Sequence, residues 1–365
     1  MKVTLDKDIL LTHISTVQRF TSSRLNTATA LQGVYTKITG GVMHFYATDL
    51  NTYCHSQTQV LTKEETSFVI EPKKILEFVQ FLQAGEVNVT IQESSMQIEQ
   101  GKTKGVFPLI AVEDFPLPPE LTEEKEKIKT EFLLKNLPFL LFTASSDDAR
   151  PVLTGINFVV SDEELILAAT DGFRLSVVKE KRKGTFSNMI VPAEFLKEVL
   201  RQVKETESVL FSYSEKEHMV YFKAGETEFF SRLIDGDFPP YERVVPDEKK
   251  STVKLKREDL LRNTKLISIF AREYSNVIIY DFSKDGLVIA PKKEANEENT
   301  TTQDIEFEGE PMRVAFNYKY VLDFLNHVDA EVLEIELLRS EAPVVFRTPG
   351  NNTFMHIIMP VRIQE

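Results

Sequence analysis

A strand-to-helix segment occurs three times in this chain, and it limits the fold more than any other feature. The copies are Val69-Ile70-Glu71-Pro72-Lys73-Lys74-Ile75-Leu76-Glu77-Phe78-Val79, Ile190-Val191-Pro192-Ala193-Glu194-Phe195-Leu196-Lys197-Glu198-Val199-Leu200 and Val314-Ala315-Phe316-Asn317-Tyr318-Lys319-Tyr320-Val321-Leu322-Asp323-Phe324-Leu325. Each is a short β-prone run, then Pro or Asn where a helix can begin, then apolar residues at helical spacing. The copies lie about 120 to 125 residues apart, one domain length rather than one solenoid turn. A second repeat keeps the same order: Val3 to Leu11, Thr130 to Leu137 and Val253 to Leu261 each read as a strand entering an amphipathic helix. Two helices per copy with strand-like runs between them predict an α+β domain repeated three times.

The breaks between copies are legible. Pro116-Leu117-Pro118-Pro119-Glu120 and Pro246-Asp247-Glu248-Lys249-Lys250 are Pro-rich, charged junctions, preceded by Asp114-Phe115-Pro116 and Asp237-Phe238-Pro239. They predict domains over 1–122, 123–248 and 249–365. Strands are expected at Glu86 to Ile91, Met96 to Glu99, Val209 to Tyr213 and Met219 to Phe222.

Composition narrows function by exclusion. No apolar run is long enough to span a bilayer, and Pro138 interrupts the longest candidate, Leu137 to Ala144. The early charges of Met1-Lys2-Val3-Thr4-Leu5-Asp6 do not suit a signal peptide, and the single cysteine, Cys54, fits a reducing cytoplasm. Cys54 reads as a small buried hydrophobe rather than a catalytic thiol. The six histidines are scattered, with no metal-ligand spacing, phosphate loop or nucleophile elbow, so no catalytic residue, metal or cofactor is expected. A net charge of −13 opposes nucleic-acid binding only if the acids are evenly spread. On the helix from Ala193, apolar positions 195, 196, 199, 200 and 203 share one face, and Lys197, Arg201 and Lys204 share another. One such stripe reads as a solvated surface. Its recurrence at Lys73 and Lys74, and at Arg262 and Lys265, suggests helices that face a common space.

Ala169-Thr170-Asp171-Gly172-Phe173-Arg174-Leu175, Phe238-Pro239-Pro240-Tyr241-Glu242-Arg243-Val244-Val245-Pro246 and Ile357-Ile358-Met359-Pro360-Val361-Arg362 each join an apolar run to Pro or Gly and an Arg. They read either as strand ends and connectors or as apolar patches edged by guanidinium groups, suited to a peptide. Together with Ala47-Thr48-Asp49-Leu50, Arg150-Pro151-Val152-Leu153-Thr154-Gly155-Ile156-Asn157-Phe158 and Asn317-Tyr318-Lys319-Tyr320-Val321-Leu322, these strings resemble the bacterial DNA polymerase III β subunit family, the replicative sliding clamps, over the whole chain in order.

The resemblance implies a DNA-clamp fold: three domains, each with two helices on antiparallel sheets, and two chains joined head to tail in a ring. Helices would line the hole and sheets would form the outer wall. It implies a non-catalytic processivity factor in the cytoplasm, at the nucleoid, that encircles double-stranded DNA without reading its sequence. DNA contacts carried over are Arg24, Lys73 and Arg150, to which the helix stripe adds Lys197, Arg201 and Lys204. Clients (the polymerase catalytic subunit, the clamp loader and repair proteins) would dock short peptides in a groove. By position that groove is Leu153, Thr170, Gly172, Phe173, Arg174, Leu175, Pro239, Arg243, Val244, Ile357, Ile358, Met359, Pro360, Val361 and Arg362. Phe173 stands where the family usually has His, so a more apolar groove wall is expected. The homodimer contact falls at Phe107, Ile269 and Phe270. Two rival readings are a clamp-derived acidic scaffold that does not encircle DNA, and a hydrolase using Asp49 and Asp171.

Overall fold

The computed structural model describes residues 1–23, 28–110, 114–160, 164–181, 187–272, 275–292 and 299–362. The chain forms two compact units, one of 1–134 with 195–233 and one of 135–194 with 234–365. The middle third of the sequence therefore contributes to both.

Both predicted repeats fold as strand followed by helix. Strands Thr66–Ile70, Met189–Pro192 and Met312–Asn317 lead into helices Pro72–Val79, Ala193–Gln202 and Tyr318–His327. Strands Lys2–Asp6, Glu126–Lys129 and Ser251–Lys256 lead into helices starting at Lys7, Thr130 and Arg257. Local chemistry sets the helix starts. Asp6 accepts the N–H of Asp8 and of Ile9, Asn317 accepts that of Lys319, and Pro72 fills a first-turn place where its missing N–H costs nothing. Pro138 divides the helix of the middle repeat into Thr130–Asn136 and Pro138–Leu141, because its ring cannot continue the hydrogen-bond ladder. The strands expected at 86–91, 96–99, 209–213 and 219–222 all form, at Glu86–Ile91, Ser95–Gln100, Ser208–Ser214 and Met219–Ala224.

Two four-strand patterns recur. One has the order Thr66–Ile70, Val34–Thr39, Val42–Thr48, Thr52–Gln59; it returns as Met189–Pro192, Gly155–Val160, Leu165–Thr170, Arg174–Glu180, and again as Met312–Asn317, Val277–Ser283, Gly286–Pro291, Thr301–Gln303. The other has the order Lys2–Asp6, Glu86–Ile91, Ser95–Gln100, Thr103–Ile110; it returns as Glu126–Lys129, Ser208–Ser214, Met219–Ala224, Thr227–Arg232, and as Ser251–Lys256, Val332–Leu337, Val344–Thr348, Asn351–Ile358.

Last strands of the two patterns pair with each other twice. In the first unit Thr52–Gln59 pairs antiparallel with Thr227–Arg232, with Tyr53 opposite Phe230. In the second unit Arg174–Glu180 pairs with Asn351–Ile358, with Leu175 opposite Ile357. We call these the first and second seams. They build the 12-stranded sheet of one unit and the nine-stranded sheet of the other. Two last strands, Thr301–Gln303 and the 103–107 part of Thr103–Ile110, find no such partner among the described residues and are paired on one side only.

The first seam carries a polar relay on one face. His44 Nδ1 lies 3.0 Å from His55 Nε2, and His55 Nδ1 lies 2.8 Å from Glu228 across the seam. Tyr221 and Lys223 donate to the other carboxylate oxygen at 2.9 and 3.2 Å. The His55 hydrogen bond, aided by those of Tyr221 and Lys223, holds Glu228 down to about 2 from 4.5. A carboxylate depressed by folding stabilises the fold above its unfolded value and loses that contribution as pH falls through the folded one. The loss should be about 3 kcal/mol, spread between pH 5 and 2. Glu228→Gln should remove that part of the acid slope in urea melts; parallel curves for variant and wild type would refute it.

Candidate functional site: the second seam

The segment from Thr170 to Arg174 closes a hairpin whose geometry is written in its own side chains. Thr170 Oγ1 donates to the Arg174 carbonyl at 2.6 Å and accepts the Gly172 N–H at 3.0 Å. Asp171 Oδ1 accepts the N–H groups of Phe173 and Arg174 at 2.8 and 3.0 Å. Gly172 takes the remaining strain at φ +93°, in the left-handed region where side chains are disfavoured. The Met359 N–H donates to the Phe173 carbonyl at 2.8 Å and so ties the end of Asn351–Ile358 to this turn.

A cavity of about 200 Å³ lies against the turn. Leu153, Thr170, Gly172, Arg174, Leu175, Pro239, Val244, Ile357 and Met359, all expected groove residues, line it together with Pro240 and Tyr241. Its floor is the core cluster of Ala168, Leu175, Val177, Tyr241, Val345, Met355 and Ile357. The short helical turn Tyr241–Val244 presents Val244, 37% exposed, to the mouth, while Tyr241 points inward. Burial raises the Tyr241 phenol to about 12, so it stays protonated. The site can bury aliphatic and aromatic side chains. Sequence reasoning quoted Pro240 and Tyr241 within a groove string without assigning them to the groove.

Other expected groove residues surround the cavity rather than line it. Ile358 is buried in the seam opposite Arg174. The Val361 N–H bonds to the Ala315 carbonyl, and Arg362 is exposed with Glu341 at 3.7 Å. Arg243 is exposed on the Tyr241–Val244 turn, and Pro360 is half-buried beyond Met359. Phe173, 54% exposed, turns toward Tyr320, with ring centroids 6.1 Å apart. Its apolar surface extends the site along Tyr320 instead of forming the cavity wall.

Arg174 is held on every side. Nε bonds to Asp171 at 3.1 Å, Nη1 bonds to Asp323 at 2.6 Å, and the guanidinium lies over the rings of Tyr320 and Phe142 at 4.9 and 5.5 Å. Its side chain is 10% exposed. It acts as a fixed wall joining the turn to helix Tyr318–His327. The partners Phe142, Tyr320 and Asp323 were not assigned to the site from sequence, where they lie far from Arg174. Behind the wall, Ser176 Oγ meets His356 Nδ1 and Thr143 Oγ1, each at 2.8 Å, and burial pushes His356 well below its usual range. His356 is therefore neutral.

The expected DNA contacts have varied settings. Lys73, Lys197, Arg201 and Lys204 are all exposed. Glu198 lies 3.7 Å from Arg201 and tempers the stripe. Arg150 pairs with Asp147 at 2.9 Å, and its Nη1 would stand 3.2 Å from a Cβ built on Gly172, which puts it at the cavity rim. Arg24 lies outside the described residues. Of the expected dimer contacts, Phe107 packs on Phe78, centroids 5.5 Å apart, in a hollow of about 840 Å³ that also includes Phe81 and Leu82. Ile269 and Phe270 are 48% and 36% exposed, with Leu266 on the same helix at 47%. Cys54 is buried, and burial raises its thiol well above the usual range.

Comparison with known proteins decides the family. The models for the N-terminal, central and C-terminal domains of the DNA polymerase III beta subunit match residues 1–119, 127–240 and 242–362. The chain belongs to the DNA polymerase III beta subunit family.

Its relatives include the beta sliding clamps of Bacillus subtilis (strain 168), 27% identical over 378 residues, and of Halalkalibacterium halodurans, 29% identical over 386 residues. Each alignment covers 99% of this chain and 100% of the relative. The crystal structure of the Bacillus subtilis DNA polymerase sliding clamp matches with a TM-score of 0.91 at 25% identity, covering 100% of both chains. The Thermotoga maritima DNA polymerase III beta subunit matches in fold, with a TM-score of 0.92 at 22% identity, again over 100% of both chains. The fold is thus the three-domain α+β clamp fold, and the family is one of non-catalytic processivity factors. The two aspartates of the hydrolase reading fit this: Asp49 accepts the N–H groups of Asn51 and Thr52 as Asp171 accepts those of Phe173 and Arg174.

Proposed function

We propose that two copies of this chain close head to tail around duplex DNA, and that the second-seam cavity tethers the replicative polymerase to the ring. The observation that carries this is the strand order. Last strands of one repeated pattern pair with last strands of the other at both seams, and among the described residues one of each kind is left over, at Thr301–Gln303 and at 103–107. A strand edge of one kind on one chain complements the edge of the other kind on a second chain, and two such contacts close a ring and remove the exposed edges. The hollow of Phe78, Phe81 and Phe107 lies beside one of these edges and suits Leu266, Ile269 and Phe270 of the partner chain. The domains would be 1–122, 123–248 and 249–365.

A ring is held on DNA by topology, so its contacts can be weak and indifferent to sequence. Exposed Lys73, Lys197, Arg201 and Lys204 would supply them, with Arg24. Arg150 serves the client rim as directly as the duplex. A client whose Leu or Phe side chain fills the cavity stays at high effective concentration near the primer end, which raises processivity without altering its chemistry. The clamp loader and repair proteins would use the same cavity, in the cytoplasm at the nucleoid.

The test is retention. The purified chain should have the solution mass of two chains, and rings placed on nicked circular DNA should stay through gel filtration and leave when the DNA is cut linear. Equal loss from circular and linear DNA would instead favour the acidic-scaffold reading.

A further inference from the structure

The first seam repeats the client site bond for bond. Thr48 Oγ1 donates to the Thr52 carbonyl at 2.7 Å and accepts the Leu50 N–H at 2.8 Å, as Thr170 does for Arg174 and Gly172. Asp49 accepts the N–H groups of Asn51 and Thr52, as Asp171 does for Phe173 and Arg174. The Arg232 N–H donates to the Asn51 carbonyl at 2.8 Å, the length of the Met359 bond to Phe173. Tyr53 faces Phe230 where Leu175 faces Ile357. Aligning Asp114-Phe115-Pro116 with Asp237-Phe238-Pro239 then places Leu121 where Val244 stands.

Five positions of the first seam carry the bulkier residue of the pair, whereas Thr52 is smaller than Arg174 and Asn51 smaller than Phe173. Leu50 replaces Gly172 and keeps its left-handed backbone at φ +75°, a strained conformation for a leucine. Tyr53 replaces Leu175, Phe230 replaces Ile357, and Arg232 replaces Met359, with its Nε folded back on the Leu50 carbonyl at 3.3 Å. Leu121 packs down on the cluster of Tyr53, Met219, Tyr221 and Phe230, whereas Val244 borders an open cavity.

We infer that the first seam is a closed copy of the client groove, filled by Leu121 and capped at its surface by Leu50 and Arg232. Position 172 being glycine, and its counterpart leucine, decides which seam binds. This rests on reading the second-seam cavity as the client site.

The probe is a fluorescein-labelled peptide Ala-Leu-Asp-Leu-Phe, followed by anisotropy with the full-length chain. Wild type should bind one peptide per chain, and Gly172→Leu should weaken that by about 50-fold or more, the scale of losing a central anchor pocket. Adding Leu50→Gly, Leu121→Val and Arg232→Met to the Gly172→Leu chain should restore binding to within roughly tenfold of wild type. A quadruple variant that melts like wild type and still binds no peptide overturns the inference while leaving the groove reading intact. A wild-type chain that binds none, or a Gly172→Leu chain that binds as wild type, overturns the groove reading and this inference with it. If the quadruple variant does not fold, Leu50→Gly alone relieves a strained residue and keeps the fold. Millimolar peptide should then shift the ring resonances of Tyr53 and Phe230, and unchanged rings would overturn the inference.

Discussion

A chain carrying Ile269→Asp and Phe270→Asp should run at half the solution mass of wild type and lose its retention on circular DNA. Both side chains are substantially exposed on helix Arg257–Ala271, so neither change should unfold the protomer. That helix is anchored instead by Leu260, Asn263, Thr264, Ile267 and Ala271 on its buried face. In the ring, the two carboxylates would enter the hollow of Phe78, Phe81, Leu82 and Phe107, where Lys74 and Lys102 at its lining offset only part of the cost. An unpaired buried charge costs several kcal/mol, and the change falls on both contacts of the ring at once. Dissociation should therefore shift by at least about 100-fold per contact. The thermal midpoint of the dilute protomer should stay within a few degrees of wild type. An unchanged mass at micromolar concentration would remove this helix from the interface.

The second large effect is expected at Arg174. Arg174→Ala leaves Asp171, 14% exposed, and Asp323, 46% exposed, facing each other without the cation between them. Breaking a fully buried pair costs about 3 to 5 kcal/mol; the exposure of Asp323 favours the lower end, about 3 kcal/mol. Loss of the stacking on Phe142 and Tyr320 adds to it. Client peptide should bind at least about tenfold more weakly, because the turn carrying Thr170 and Gly172 loses its tie to helix Tyr318–His327. Asp323→Asn, which keeps the shape and removes the charge, should weaken the peptide without the full loss of stability. Peptide affinity that survives Arg174→Ala would mean the turn is held by its own Thr170 and Asp171 bonds alone.

Much of this molecule is legible in the sequence because its signals are local. The strand-to-helix repeats at Val69, Ile190 and Val314 announce themselves by apolar spacing and by Pro or Asn at the helix start, and they form where that spacing puts them. The turn at Thr170 is equally local in its side-chain bonds from Thr170 and Asp171, all of which lie within five residues. The cavity's membership could be expected by resemblance, and nine of those residues meet there. Pro240 and Tyr241 join them only through the fold of the Tyr241–Val244 turn. Asp323, 149 residues from Arg174, carried no sign of its role.

Three copies of one domain, with their helices and strands, can be read from residue order alone. Those follow from backbone propensity and from side chains that reach only a few residues along the chain. Only the folded chain shows that Thr227–Arg232 pairs with Thr52–Gln59, that Asn351–Ile358 pairs with Arg174–Glu180, and that among the described residues Thr301–Gln303 and the 103–107 stretch are paired on one side only. It also shows a cavity at the second seam. Edge pairing uses backbone groups that every strand offers alike, so its partners are chosen by packing at long range. A cavity is what that packing leaves unfilled.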